Sequence, residues 1–203
     1  MHSRRSLAVV ALAFLVTLAC AAPAPAAVAV GTVAPAFSLT DLDGNTVSLA
    51  DHRGKTVVLE WINPNCPVSD RHAREATMTD LVAKHRDVVW LAINSTSEES
   101  GELLAPAEHK EWAAERGIDY TILYDESGEV GRAYGARTTP HMYIVDAEGK
   151  LAYNGAIDDD PPGRKDKAAR GNYVDAGLIA HAAGQAIDPA TTRPYGCSVK
   201  YAD

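Results

Sequence analysis

Two short, nearly unbroken apolar runs constrain this chain most: TVVLEWI from Thr56 to Ile62 and VVWLAI from Val88 to Ile93. A strand with water on one face alternates apolar and polar residues. A run with so little alternation belongs to a strand covered on both faces, as in a parallel sheet. Parallel neighbours need a crossover. The roughly twenty residues from Pro67 onward supply it as one predicted helix, because proline suits the first helical turn. Ala73, Ala76, Leu81 and Val82 give that helix a thin apolar face.

The flanking segments extend the pattern. Ala36–Thr40 and Thr46–Leu49 read as short strands around the turn Asp41–Asn45. A polar loop (Asn94–Glu102) leads to a helix over Ala107–Arg116 that stops at Gly117, then a strand over Tyr120–Tyr124 and a short helix over Gly128–Tyr134. His141–Val145 and Lys150–Tyr153 predict an antiparallel hairpin, and Tyr173–Ala183 a last helix with Val174, Leu178, Ile179 and Ala182 on one face. Strands alternating with helices, then a hairpin and a helix, predict a three-layer α/β domain with a central mixed sheet flanked by helices.

Residues 1–26 do not belong to that domain. Arg4 and Arg5 precede an apolar stretch from Leu7 to about Ala22, and Ala24-Pro25-Ala26 offers a small-residue cleavage site. This is the layout of a secretory signal, too short in its apolar part for a comfortable membrane span. The expected division is a signal peptide over 1–26 and one domain over 27–203, exported to a periplasmic or extracellular location with no stable membrane insertion after cleavage. Loss of Arg4 and Arg5 leaves 17 basic residues against 27 acidic, a net charge of −10. Such a surface disfavours nucleic acid and anionic lipid. Cys20 leaves with the leader, so Cys66 and Cys197 are the cysteines whose pairing matters.

The element order, the cysteine at the strand-to-helix junction and Thr139-Pro140 ahead of the hairpin resemble the thioredoxin superfamily. The segments EWINPNCP (60–67), VVWLAINS (88–95), YGARTTPHMYIVD (134–146), YNGAIDD (153–159) and TRPYGCSVKY (192–201) are similar to its bacterial peroxiredoxin-like members, of redoxin or AhpC/TSA type. The resemblance covers nearly all the mature chain. It implies a thioredoxin-like fold and thiol redox activity with no cofactor.

Cys66 is the first candidate residue. At a helix N-terminus a thiolate is stabilised by unpaired backbone N–H groups and the helix dipole. Its polar flanks (Asn63, Asn65, Ser69, Asp70) predict access for a partner. Ser69 stands where a dithiol thioredoxin carries its second cysteine, so Cys66 cannot close a local disulfide. It also stands where a peroxiredoxin carries its peroxidatic cysteine, which argues against the usual peroxidase chemistry. Cys197 is then the candidate partner, as a resolving sulfur or as one half of a structural staple. Tyr195, Gly196 and Tyr201 mark its surroundings as ordered. The resemblance further implies a cis Thr139-Pro140 loop that, with Asn63, faces a substrate segment, and a buried Glu60 that moves protons for the thiol. A solvated strand-end glutamate is the alternative.

His72 and His141 invite a copper or zinc site with a cysteine, but no ligand pair has short spacing, so no metal is expected. Asp158-Asp159-Asp160 reads as a solvated acidic loop rather than a calcium loop. The resulting expectation is an exported thiol-disulfide oxidoreductase. Cys66 attacks a protein or small-molecule disulfide, and Cys197 or an external thiol reductant resolves the mixed disulfide. A non-catalytic binding module stapled by the two cysteines and a metal chaperone are the rival readings.

Overall fold

A computed structural model describes residues 28–202; the leader expected over 1–26 lies outside them. The two apolar runs form β-strands at the centre of a seven-stranded sheet. β1 (Ser38–Asp41), β2 (Thr46–Ser48), β3 (Val57–Trp61), β4 (Val89–Asn94), β5 (Thr121–Tyr124), β7 (His141–Val145) and β8 (Leu151–Gly155) lie in the order β2-β1-β5-β4-β3-β7-β8. β3, β4 and β5 run parallel, with Glu60 opposite Ala92. The outer pairs are antiparallel, including the expected β7–β8 hairpin. All five residues of β3 are buried, which accounts for the missing alternation.

Side chains alternate across the sheet and build two apolar layers. Val57, Leu59 and Trp61 pack with Tyr134, Phe37 and Tyr143 on one face. Val58 packs with Met78, Leu81 and Leu178 on the other, next to Ile62 with Ala73 and Trp112. The first face carries α4 (Glu129–Tyr134). The second carries α1 (Pro67–Arg74), α2 (Thr77–Lys84), α3 (Pro106–Glu115) and α5 (Tyr173–Ala182). The three-layer thioredoxin-like α/β architecture is therefore present. Among the described residues, no helix is long and apolar enough to cross a membrane.

Three features depart from the sequence reading. The crossover is two helices rather than one, broken at Glu75–Ala76, where Ala76 takes the left-handed conformation with φ 53°. The break is held from outside. Arg170 pairs with Glu75, and Lys167 Nζ donates to the Glu75 carbonyl. The segment bearing Arg170 and Lys167 also corrects the second expectation: Asp158 and Asp160 are each 2% exposed, not solvated. Asp160 accepts from the backbone N–H groups of Arg164 and Lys165 and pairs with Arg170 Nε at 3.0 Å. Third, a small second sheet was not expected. β6 (Thr138–Thr139) pairs antiparallel with β9 (Cys197–Ser198), bringing the C-terminal segment back across the molecule.

Candidate active site

β3 ends at Trp61, and the chain turns through Asn63–Asn65 into α1. Asn63 accepts from the Asn65 N–H at 2.8 Å through Oδ1, and its carbonyl accepts from the Cys66 N–H at 3.0 Å. Cys66 is the N-cap of α1 with extended backbone, and Pro67 opens the helix without wasting a donor. The thiol therefore lies at the positive end of the helix, as its position in the sequence implies.

The second sulfur arrives from the far end of the chain. In the β6–β9 pair, Cys197 lies opposite Thr139, and Thr139-Pro140 is cis. Both thiols are free, and this register brings Cys197 beside Cys66 at Thr139. In its neutral form Cys66 donates to the Thr139 carbonyl at 3.1 Å. Cys66, Cys197, Thr139 and Pro140 thus form one cluster, built from α1, β6 and β9.

The two thiols shift in opposite directions. Burial pushes the Cys66 pKa up, but hydrogen bonds outweigh it and hold it below the ordinary thiol value. They come from the Cys197 thiol, the Thr139 hydroxyl and the Ser69 and Cys197 backbone. Cys197 is pushed up to about 11, by desolvation first and then by its hydrogen bond to Cys66 and that sulfur's charge. Of the two thiols, Cys66 is therefore the one that ionises first.

Access is where the sequence expectation fails. Cys66 is 1% exposed, and Ser69 and Thr139 are also buried. Polar flanks predicted an open thiol, yet β9 occupies the edge beside Thr139-Pro140 that a partner strand was expected to use. Only glycine fits the approach: a Cβ on Gly196, at φ +128°, would stand 2.1 Å from the Thr139 carbonyl oxygen. Asn63 is likewise 2% exposed and turned inward, its amide donating to Glu102 Oε2 at 3.2 Å. It braces the loop.

Glu60 is fully buried rather than at a solvated strand end. Its Oε2 accepts from Trp90 Nε1 at 3.1 Å and from the Tyr120 hydroxyl at 3.0 Å, while Oε1 has no partner. Desolvation raises its pKa to about 7 against those two hydrogen bonds. Its hydrogen bonds lead away from Cys66, so the structure does not join it to the sulfur cluster.

The histidines belong to scaffolding. His72 is buried, with Nδ1 3.2 Å from the Thr77 hydroxyl and Nε2 3.1 Å from the Tyr195 hydroxyl. Tyr195 also donates to Asp158, so a buried chain of polar groups anchors the residues just before Cys197. His141 pairs with Asn154 at 2.8 Å through Nε2 and accepts from the Arg137 N–H at 3.2 Å through Nδ1. Burial chiefly lowers both imidazoles to about 4 and keeps them neutral. With every ring nitrogen engaged, neither is a ready ligand. Among the described residues, no cluster of three metal-ligating side chains exists.

Sequence reasoning marked Tyr195 and Gly196 only as signs of order. The partners that give them their roles, His72, Asp158 and the Thr139 carbonyl, are distant in the chain, and no local signal links them.

Comparison with known proteins gives the family and the fold. Residues 30–154 match the AhpC/TSA family. The thiol-disulfide oxidoreductase ResA of Geobacillus thermodenitrificans is 34% identical over 126 residues, covering 62% of this chain and 68% of that protein. A Mycobacterium tuberculosis protein provisionally named a peroxiredoxin is 31% identical, covering 64% of this chain and 78% of its own. Among solved structures, an uncharacterized conserved protein of Geobacillus kaustophilus superposes with TM-score 0.72 at 32% identity, covering 86% of this chain and 93% of that one. A hypothetical protein of Sinorhizobium meliloti gives TM-score 0.73 at 28% identity, covering 87% and 97%.

Proposed function

We propose that this chain, which belongs to the AhpC/TSA family, is a thiol-disulfide oxidoreductase whose working pair is Cys66 and Cys197. The single observation that carries the reading is the meeting of two free thiols at one residue: Cys66 donates to the Thr139 carbonyl at 3.1 Å, and Cys197 pairs opposite Thr139 in the β6–β9 ladder, with Cys66 held low and Cys197 high. A buried structural pair has no need of a stabilised thiolate. A redox pair does, because the thiolate is both the attacking group and the better leaving group in exchange.

Cys66 supplies the stabilised thiolate, and Cys197 is the sulfur with which it closes a reversible disulfide. Thr139 and Pro140 seat Cys197 against Cys66, and Glu60, a buried carboxyl that titrates near neutrality, serves as a proton store one layer removed from the sulfurs. The substrates are protein or small-molecule thiols and disulfides, and an external thiol returns the pair to its reduced form. The leader pattern supports export and work outside the cytoplasm. No cofactor is needed, since both electrons reside on sulfur.

Reduction of a disulfide-linked fluorescent peptide by the reduced protein tests this. Wild type should turn over with an external thiol present, and Cys66→Ser should abolish the turnover. Equal rates in the two proteins would remove Cys66 from the chemistry.

A further inference from the structure

The burial of Cys66 poses a question that the redox reading leaves open: which sulfur meets the partner? Cys66 is 1% exposed. Cys197 is part-exposed and lies between two exposed residues, Gly196 and Ser198. Uncovering Cys66 would require lifting the whole C-terminal segment, and that segment is fastened on both sides of Cys197. Before it, the Tyr195 hydroxyl is held by His72 and Asp158. After it, the Val199 N–H donates to the Arg137 carbonyl at 3.1 Å. The Lys200 carbonyl accepts from the Ser97 N–H at 2.7 Å. The Tyr201 hydroxyl donates to the Ala136 carbonyl at 2.8 Å. Gly196 packs directly on the Thr139 carbonyl between these anchors. The sulfur with the stabilised thiolate is sealed, and the sulfur with the raised pKa forms the door.

We propose that partners exchange with this protein at Cys197, and that Cys66 is an inner sulfur that leaves and returns beneath the C-terminal strand without meeting them. This rests on the redox reading of the pair and assigns its two positions. In the oxidised protein a substrate thiolate attacks Cys197 Sγ. The Cys66–Cys197 bond breaks, and its electron pair passes to Cys66, which departs as the stabilised thiolate. A mixed disulfide now joins the substrate to Cys197. A second thiolate of the same substrate attacks the substrate sulfur in that bond. It closes the substrate disulfide and returns an electron pair to Cys197, which takes up a proton. The substrate dithiol has lost two electrons and the protein has gained them. An external disulfide, taken through the same steps in reverse, reoxidises the pair. The substrate class is a dithiol or disulfide able to reach a surface strand, not one that must enter the fold.

The test uses oxidised full-length protein and glutathione as a monothiol probe, quenched with acid. The freed cysteine is alkylated, and the adducts are mapped by peptide mass spectrometry. Glutathione on Cys197 with the alkyl group on Cys66 is the expected result; glutathione on Cys66 overturns the proposal. Because Cys66 can recapture the bond before the quench, single-cysteine proteins give a second readout. With an aromatic disulfide reagent, Cys197→Ser, which keeps only buried Cys66, should react more than about tenfold slower than Cys66→Ser, despite the lower pKa of Cys66. Equal or faster reaction of Cys197→Ser overturns the proposal. A native disulfide that dithiothreitol cannot open would instead defeat the redox reading itself, a distinct outcome.

Discussion

Replacing Glu60 with glutamine tests the electrostatics of the buried layer in a way that can be worked through in advance. Glu60 has no solvent exposure, and its pKa stands at about 7 against 4.5 for the free side chain. At about 1.36 kcal/mol per pH unit, ionising it inside the fold costs roughly 3 kcal/mol. The direction follows from linkage. Between the unfolded and folded values the unfolded chain gives up its proton first. The unfolded state then binds fewer protons, and stability falls as pH rises. Below 4.5 the carboxyl is neutral in both states and costs nothing; above about 7 the full penalty applies. Glutamine copies the protonated form. Its carbonyl oxygen keeps the Trp90 and Tyr120 hydrogen bonds, and its amide replaces the unpartnered Oε1. All other titrating groups are common to both proteins. The difference in urea unfolding free energy, Glu60→Gln minus wild type, should therefore grow by about 2–3 kcal/mol from about pH 5 to about pH 8. A difference that stays flat with pH would refute the reasoning, because the carboxyl would then titrate normally and lie outside the low-dielectric layer.

Other consequences are simpler to state. Cys197→Ala removes the neighbouring thiol that does most to hold the Cys66 pKa down, so that pKa should rise; ultraviolet titration of the thiolate would show an unchanged or lower value if the neighbour is unimportant. Gly196→Ala drives a Cβ into the Thr139 carbonyl. It should cost about 1–3 kcal/mol in stability and speed alkylation of Cys66, and unchanged protection would mean that the C-terminal strand is not the cover. Hydrogen peroxide should be consumed slowly, because Ser69 occupies the peroxiredoxin cysteine position and Cys66 is sealed; fast consumption that depends on Cys66 would restore a peroxidase assignment.

The parts of the fold that were legible are those whose cause is local. Val57–Trp61 is buried on both sides, so its composition alone marks a central parallel strand. Pro67 after Cys66 marks a helix start for a reason internal to proline. The break at Ala76 has no such mark. Alanine is a strong helix former, and its left-handed conformation accompanies the Arg170 and Lys167 contacts to Glu75 from about ninety residues away. The same distance hid the surroundings of Asp158 and Asp160, whose acidity reads as solvation until Tyr195 and Arg170 are seen to meet them. In the site, Cys66 and the cis Thr139-Pro140 loop were legible from the family resemblance. The sealing of Cys66 was not. β9 is two residues long with no apolar period, and its register depends on Gly196 fitting one carbonyl oxygen.

If Cys66 and Cys197 form a reversible redox pair, their bond opens and closes with the potential of the surrounding thiol buffer. Equilibration of the native protein in glutathione buffers of graded potential, followed by acid quench and intact mass analysis, tests this most directly. One cooperative two-electron transition is expected, seen as loss of two hydrogens on oxidation, with the Cys66 and Cys197 peptides linked in the oxidised form and free in the reduced form. Two thiols that stay reduced across the whole range, or a Cys66–Cys197 bond that no buffer opens without unfolding, would contradict it.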